Sequence, residues 1–268
     1  GDESITSIIE EYMAGGVDFS SIYGHFYLSI YDQHKDERLF FTDNSGICKL
    51  YFTSCCLSSS FLQILENNKL SRLNPEGVIE FLRFGSVFFN QTVVDGVQTL
   101  SRKKVLKVKS SRFAFEDKNL PLKSSVPDFT FQSFFTKLFP SLKEKKISLD
   151  ITGGSDSRLL VALFMNSGVD FELAITGKNE NQDVIIAKKI ASVLNKDFHL
   201  TQHNGHALSD VCLLDLFHRS DGVLDLTVFH RLQQYYQERT ERGVELQITG
   251  AGGELYKDFW WLQDFPFY

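Results

Sequence analysis

The stretch Ser148-Leu149-Asp150-Ile151-Thr152-Gly153-Gly154-Ser155-Asp156-Ser157-Arg158-Leu159-Leu160 decides how this chain folds. A short run of strand type enters two glycines, passes through small polar residues and leaves in a run of helix formers. The glycines let the backbone turn tightly and let an anion approach. The N-terminus of the following helix aims N–H groups and the positive end of its dipole at that anion. Thr152 and Ser157 add hydroxyl donors. Asp156 is out of place beside a phosphate unless a cation lies between them, so it is expected to be a Mg²⁺ ligand. The loop is not a Walker A, because it lacks the Gly-Lys-Ser/Thr ending. Nor is it a nucleophile elbow, since Ser157 stands where that motif has glycine.

Outward from this loop the period alternates. Phe131 to Leu142 predicts a helix, Ile147 to Ile151 a strand, Ser157 to Asn166 a helix, Phe171 to Thr176 a strand and Asp183 to Leu194 a helix. Val228 to Arg239 continues as helix and Val244 to Thr249 as strand. Strands alternating with helices predict βαβ units and a parallel sheet, whose ligand site lies beyond the carboxyl ends of the strands. The last strand runs into a second glycine loop, Thr249-Gly250-Ala251-Gly252-Gly253-Glu254. If the two loop-bearing strands are neighbours, Asp156 and Glu254 face one metal.

Upstream the pattern is different. Gly24 to Tyr31, Arg38 to Thr42 and Lys49 to Thr53 predict strands, the last two separated by the turn Asp43-Asn44-Ser45-Gly46. Pro75 to Leu82 predicts a helix with proline in its first turn, and Val105 to Val108 a short strand. This is the pattern of an antiparallel sheet. Residues 119–128 hold two of the chain's five prolines and two serines with no clear period, which marks a linker.

The composition sets bounds on function. The chain has 268 residues, enough for one or two domains at about 150 residues each. With 28 Lys+Arg against 34 Asp+Glu the net charge is −6, which argues against a uniformly basic nucleic-acid binder. There are 25 Phe, which points to aromatic cores. Cys48, Cys55, Cys56 and Cys212 have neither metal nor redox spacing, and Cys55 and Cys56 sit badly for a mutual disulfide. They are expected to be buried or half-buried thiols in a reducing, cytoplasmic compartment. No leader or apolar spanning run is seen in the sequence.

Thr152 to Ser157 resembles the pyrophosphate loop S-G-G-x-D-S of the N-type ATP pyrophosphatases, and the chain as a whole resembles the asparagine synthetase family with its β-lactam synthetase and lasso-peptide cyclase relatives. Ala174-Ile175-Thr176-Gly177 is similar to the strand end that holds adenine, Asp183 to Ala191 to the helix after it, and Thr249 to Leu255 to the family's second loop, S-G-E-G-x-D-E-L. Gly24-His25-Phe26, Asp43 to Gly46, Lys49 to Phe52 and Pro75 to Leu100 are similar to the core and closing segment of the glutaminase-like domain.

The resemblance implies a reduced, Ntn-hydrolase-like α+β domain of antiparallel sheets over residues 1–118. It implies a doubly wound α/β domain of the adenine nucleotide alpha hydrolase type over 129–268, ending short of the family's C-terminal part. It also implies ATP and Mg²⁺, adenylation of a carboxylate with release of pyrophosphate, and attack by an amine to give an amide. Asp150, Thr152, Gly153, Gly154, Ser155, Asp156, Ser157, Thr176, Thr249 and Gly250 would bind the nucleotide, Asp150 and Thr176 through the backbone. Asp156 and Glu254 would be the metal-binding, catalytic carboxylates.

The chain departs from the family in three places. Residue 1 is Gly rather than the nucleophilic Cys of glutamine-using members, so an external amine is expected. Ala251 stands where the family has Glu, and only Glu254 follows in place of Asp-Glu, so either Glu254 takes the ligand place or the site is weakened. The family's catalytic Lys has no counterpart; Lys257 is too close to the loop. The alternatives are a non-catalytic nucleotide- or partner-binding relative and a tRNA thiolase. Expected partners are small-molecule or peptide acids and amines and a second copy or C-terminal partner chain, with neither nucleic acid nor membrane.

The remaining features have plainer readings. His199, His203 and His206 are read as a solvated or nucleotide-adjacent loop, because Asn204-Gly205 interrupts any helix. Arg102 to Lys104 and Lys143 to Lys146 are solvated faces. Asp221 is a turn former beside Gly222, with Asp225 near it, and the aromatic stretch Phe259 to Tyr268, with Trp260 and Trp261, is packing or a partner surface.

Overall fold

The computed structural model describes residues 2–70, 72–120, 130–202, 210–223 and 226–253. It is a mixed α/β chain with antiparallel sheets and a parallel sheet, divided into two compact units. The first comprises Gly1–Ser124 together with Phe217–Val223; the second comprises Ser125–Leu216 and Leu224–Tyr268. The stretch from 129 to the end therefore does not fall into one unit, since seven of its residues, 217 to 223, group with the first.

The first unit contains α1 (Asp2–Met13), β1 (Tyr27–Asp32), β2 (Glu37–Thr42), β3 (Tyr51–Phe52), β4 (Leu57–Ser58), α2 (Phe61–Asn68), α3 (Pro75–Phe84), β5 (Gln98–Thr99), β6 (Lys104–Lys109) and β7 (Arg112–Asp117). One antiparallel sheet has the order β1-β2-β6-β7 and the other β4-β3-β5. The expected turn at Asp43 does not join two paired strands. β2 pairs with β1 and β6, and the turn carries the chain out of this sheet into the second one.

The reason is chemical. The buried Asp43 carboxylate accepts hydrogen bonds from the Ser45 hydroxyl and from the N–H groups of Gly46 (2.8 Å), Ile47 (3.2 Å) and Cys48 (2.8 Å), winding the next five residues around itself. A hairpin would need those N–H groups in a ladder. On one side of β2, Phe41 meets Phe19 edge-on at 5.0 Å, and on the other Phe40 joins Leu50, Leu100 and Leu106. Both faces of this central strand are thus covered.

The second unit contains α4 (Phe131–Leu138), β8 (Ile147–Asp150), α5 (Ser155–Met165), β9 (Phe171–Thr176), α6 (Gln182–Leu194), β10 (Phe198–Thr201), most of α7 (Asp210–Arg219), α8 (Leu226–Glu241) and β11 (Leu246–Ile248). The helix expected over Phe131 to Leu142 ends at Leu138 and tightens into a 3₁₀ turn, Phe139–Leu142, because Pro140 has no N–H to continue it. The sheet is wholly parallel, in the order β10-β9-β8-β11. One face of its strands is apolar, with Ile147, Leu149, Leu173 and Ile175 buried on it, and the other is polar though also buried, with Ser148, Glu172 and Thr201. Phe139, Phe164 and Phe171 pack edge to face beneath it at 5.2 and 5.7 Å, so the phenylalanine excess serves the cores of both units.

The chain moves from β8 outward through β9 to β10, then returns to the other side of β8 with β11. Strand order reverses between β8 and β11, and that is where an open α/β sheet leaves a crevice at its carboxyl edge.

Candidate functional site

The loop after β8 occupies that crevice. α5 begins at Ser155, two residues earlier than the sequence pattern predicts, so Ser155, Asp156 and Ser157 form its first turn. Gly154 is its N-cap and supplies no side-chain hydrogen bond. The first-turn amides therefore have no side-chain cap. The two glycines are not there to turn the chain into the left-handed region: Gly154 has φ −71°, and neither is among the positive-φ residues. They are there for close approach. A Cβ on Gly153 would lie 2.7 Å from Asp183 Oδ1, and one on Gly154 would lie 3.2 Å from Thr152 Oγ1.

The hydroxyls expected to face an anion are turned onto the loop itself. Thr152 N–H donates to Ser157 Oγ (3.0 Å), the two hydroxyls meet at 3.1 Å, and Gly154 N–H donates to Thr152 Oγ1 (3.1 Å). Gly153 N–H donates to Asp183 Oδ1 at 2.9 Å, tying the loop to the first turn of α6. Thr152 and Ser157 thus brace the loop, and Asp183, which the motif did not single out, braces it from outside.

The two glycine loops do come together. β11 lies beside β8 with Leu246, Gln247 and Ile248 opposite Ile147, Ser148 and Leu149. The loop that follows then packs on the start of α5. A Cβ on Gly250 would lie 3.1 Å from Ser157 N, and one on Gly253 would lie 2.5 Å from Asp156 Cγ. Only glycine at 253 leaves room for that carboxylate. Glu254, Lys257 and the aromatic stretch Phe259 to Tyr268 lie outside the described residues, as do His203, His206 and Asp225.

Beside the loops opens a cleft of about 590 Å³. Asp150, Thr152, Thr176, Thr249 and Ala251 come to it from the strand ends, and Arg231 and Tyr235 from α8. Five positions singled out in the sequence therefore share one cavity, of a size that holds a small ligand.

Asp150, expected to act through its backbone, has a fully engaged carboxylate. It accepts from Arg239 Nη2 (2.7 Å), Gln247 Nε2 (2.9 Å) and the Tyr235 hydroxyl. Burial, and next the bond to Asp150, push the Tyr235 phenol well above its usual range. The Arg239 side chain is 2% exposed, with its Nε and Nη1 unpaired. Tyr235, Arg239 and Gln247 carry no motif; the only sequence signal was Asp150 itself, a charge at the end of a buried strand.

His199 is on β10, paired with Glu172 (3.3 Å), which also holds Arg242 (2.8 Å). Among the described residues no three His, Cys, Asp or Glu side chains cluster as a metal site. Asp221 belongs to the first unit and caps α2: it accepts from Ser60 Oγ (2.6 Å), from Leu62 N–H (3.1 Å) and from Phe61 N–H. Cys55 is exposed rather than buried. Among the described residues no helix is long and apolar enough to cross a membrane. Neither a protein-family model nor a curated protein matches this chain.

Proposed function

We propose that the cleft binds ATP with Mg²⁺ and that the chain is an amide-forming synthetase, adenylating a carboxylate and passing it to an amine. The fold in this reading is a reduced Ntn-hydrolase-like unit followed by an adenine nucleotide alpha hydrolase-like unit. The observation that carries it is the meeting of the two glycine loops over Asp156 at the carboxyl edge, where strand order reverses. The residues fit the group: Mg²⁺ is commonly held by one or two carboxylates, with phosphate and water completing its shell. Asp156 would hold it, with Glu254, the residue after Gly253, as second ligand.

Bound there, Mg²⁺·ATP supplies an activating adenylyl group and a pyrophosphate leaving group. The chain's part is to hold and orient. The first turn of α5 aims its amides and dipole at anionic charge. Thr152, Ser157 and Asp183 keep the loop rigid, so little reorganisation accompanies binding. Tyr235, Gln247 and Arg239 keep the Asp150 carboxylate away from the phosphates. Arg231 brings a positive charge to the cleft wall.

The test is pyrophosphate release from ATP across a panel of carboxylates and amines, with Asp156→Ala as control. Turnover that needs a carboxylate and is lost in the variant supports the reading. ATP binding without pyrophosphate release from any acid replaces it with the non-catalytic relative, which Ala251 in the cleft wall favours. No ATP binding at all overturns both.

A further inference from the structure

The hairpin between β3 and β4 turns through Thr53-Ser54-Cys55-Cys56, closed by Thr53 N–H donating to Cys56 O at 2.9 Å. The two sulfurs lie 3.7 Å apart at its tip, with Cys55 exposed and Cys56 half-buried against Tyr51, Phe61 and Ile64. Hydrogen-bond capacity distinguishes the two thiols. Thr53 Oγ1 accepts from Cys55 N–H (3.4 Å) and Cys56 N–H (3.1 Å), which fills both of its lone pairs. Its own proton is then directed to Cys55 Sγ, 3.7 Å away. Cys55 sulfur thus accepts from Thr53 and is placed to accept from the Cys56 thiol, an arrangement that favours a thiolate at Cys55 and a thiol at Cys56. In its protonated form Cys55 can instead donate to Asn68 Oδ1 at 3.7 Å.

We propose that Cys55 and Cys56 form a peroxide-sensitive dithiol, with Cys55 the attacking thiolate and Cys56 the resolving thiol. The Cys55 thiolate attacks one oxygen of hydrogen peroxide, forming an S–O bond and releasing hydroxide. The Cys56 thiol then displaces that oxygen as water and forms the S–S bond. In sum two thiols and one peroxide give one disulfide and two waters, the two electrons going to peroxide. Adjacent Cα atoms are ~3.8 Å apart, below the ~4.4–6.8 Å usual across a disulfide, so this bond is strained and easily reduced again. The mismatch that makes Cys55 and Cys56 a poor structural disulfide suits them to a reversible one.

The hydrogen bonds from Thr53 first, then from Cys56 and Ser54, hold the Cys55 thiol below its usual range. Burial, and next the charge of Asp43, push Cys48 up. Cys48 is therefore an internal control. Trypsin separates it, since the peptide Leu50–Lys69 contains Cys55 and Cys56 and no other cysteine.

The full chain is treated with an equivalent of hydrogen peroxide and digested without reductant. The expected result is loss of two hydrogens from Leu50–Lys69, restored by glutathione, with Cys48 unchanged. Cys56→Ser is expected to leave a dimedone-trappable sulfenic acid on Cys55, and Cys55→Ser to leave Cys56 reduced. In the untreated chain iodoacetamide alkylates Cys55 about tenfold faster than Cys48 at neutral pH. The proposal is overturned if Leu50–Lys69 passes to higher oxides or to cross-linked chains without the internal bond, or if Cys56 reacts at the parent rate once Cys55 is gone. The mass of the parent peptide decides even if a serine variant folds poorly.

Discussion

Asp150 ends a buried strand three residues before the glycine pair, and three side chains from further along the chain satisfy its carboxylate. Removing one partner of a buried ion pair is costlier than removing both. Arg239→Met is expected to lower unfolding stability by about 3 kcal/mol in urea titrations, and the double variant with Asp150→Asn by less. Equal stability of Arg239→Met and parent would show that the pair does not matter.

Asp43 and Lys118 make a second prediction. Burial raises the Asp43 carboxyl, but bonds from Ser45, Cys48, Ile47 and Gly46 outweigh it and hold it at about 2, against 3.8 unperturbed. Between these values the unfolded chain binds more protons, so this contribution is lost as pH falls from about 4 to 2. Burial lowers the Lys118 ammonium to about 8, and the Asp43 charge only partly offsets this. The sign is the reverse of a lysine that gains a partner: stability rises as pH climbs from about 8 toward ~10.4, the unperturbed lysine value. Urea midpoints across pH should show both limbs, Asp43→Asn flattening the acid one and Lys118→Met the alkaline one.

At the scale of elements, the second loop closes on α5 only because residue 253 lacks a side chain. Gly253→Ala would drive a methyl into the Asp156 carboxylate, and the loop must move away. ATP affinity measured by calorimetry is expected to fall at least tenfold, with little change in thermal midpoint. Unchanged affinity would mean that this loop does not close the nucleotide site. Most elements of the second unit were legible in the sequence, β9 to the residue, since an apolar run between turn signals leaves a parallel strand few alternatives. Helices α1, α2 and α7 and the strand β7 were not. α2 shows why: Phe61–Asn68 has Ser60 as its own cap, but a further part of its capping comes from Asp221, 160 residues on.

That pairing belongs to the whole molecule. Residues 217–223 return to the first unit, where Asp221, at φ +56°, caps α2, and Gly222 fits against Phe217 and Leu62. Asp221→Ala is expected to cost about 1–2 kcal/mol, the usual worth of a helix cap, read from chemical unfolding. Asp221→Gly relieves the backbone strain and should cost less. An alanine variant as stable as the parent would leave this return segment without an anchoring role.

By itself the sequence determined the alternation of strands and helices after residue 130, the two glycine loops and the carboxylate between them, because period, turn chemistry and local polarity act over a few neighbouring residues. Only the tertiary structure decided the rest. It placed β11 beside β8 so that the loops meet, committed Asp150 to Arg239, turned Thr152 and Ser157 inward, and set Cys55 against Cys56 under the Thr53 hydroxyl. Each of those depends on which distant groups share a cavity or a lone pair, and no local pattern carries that information.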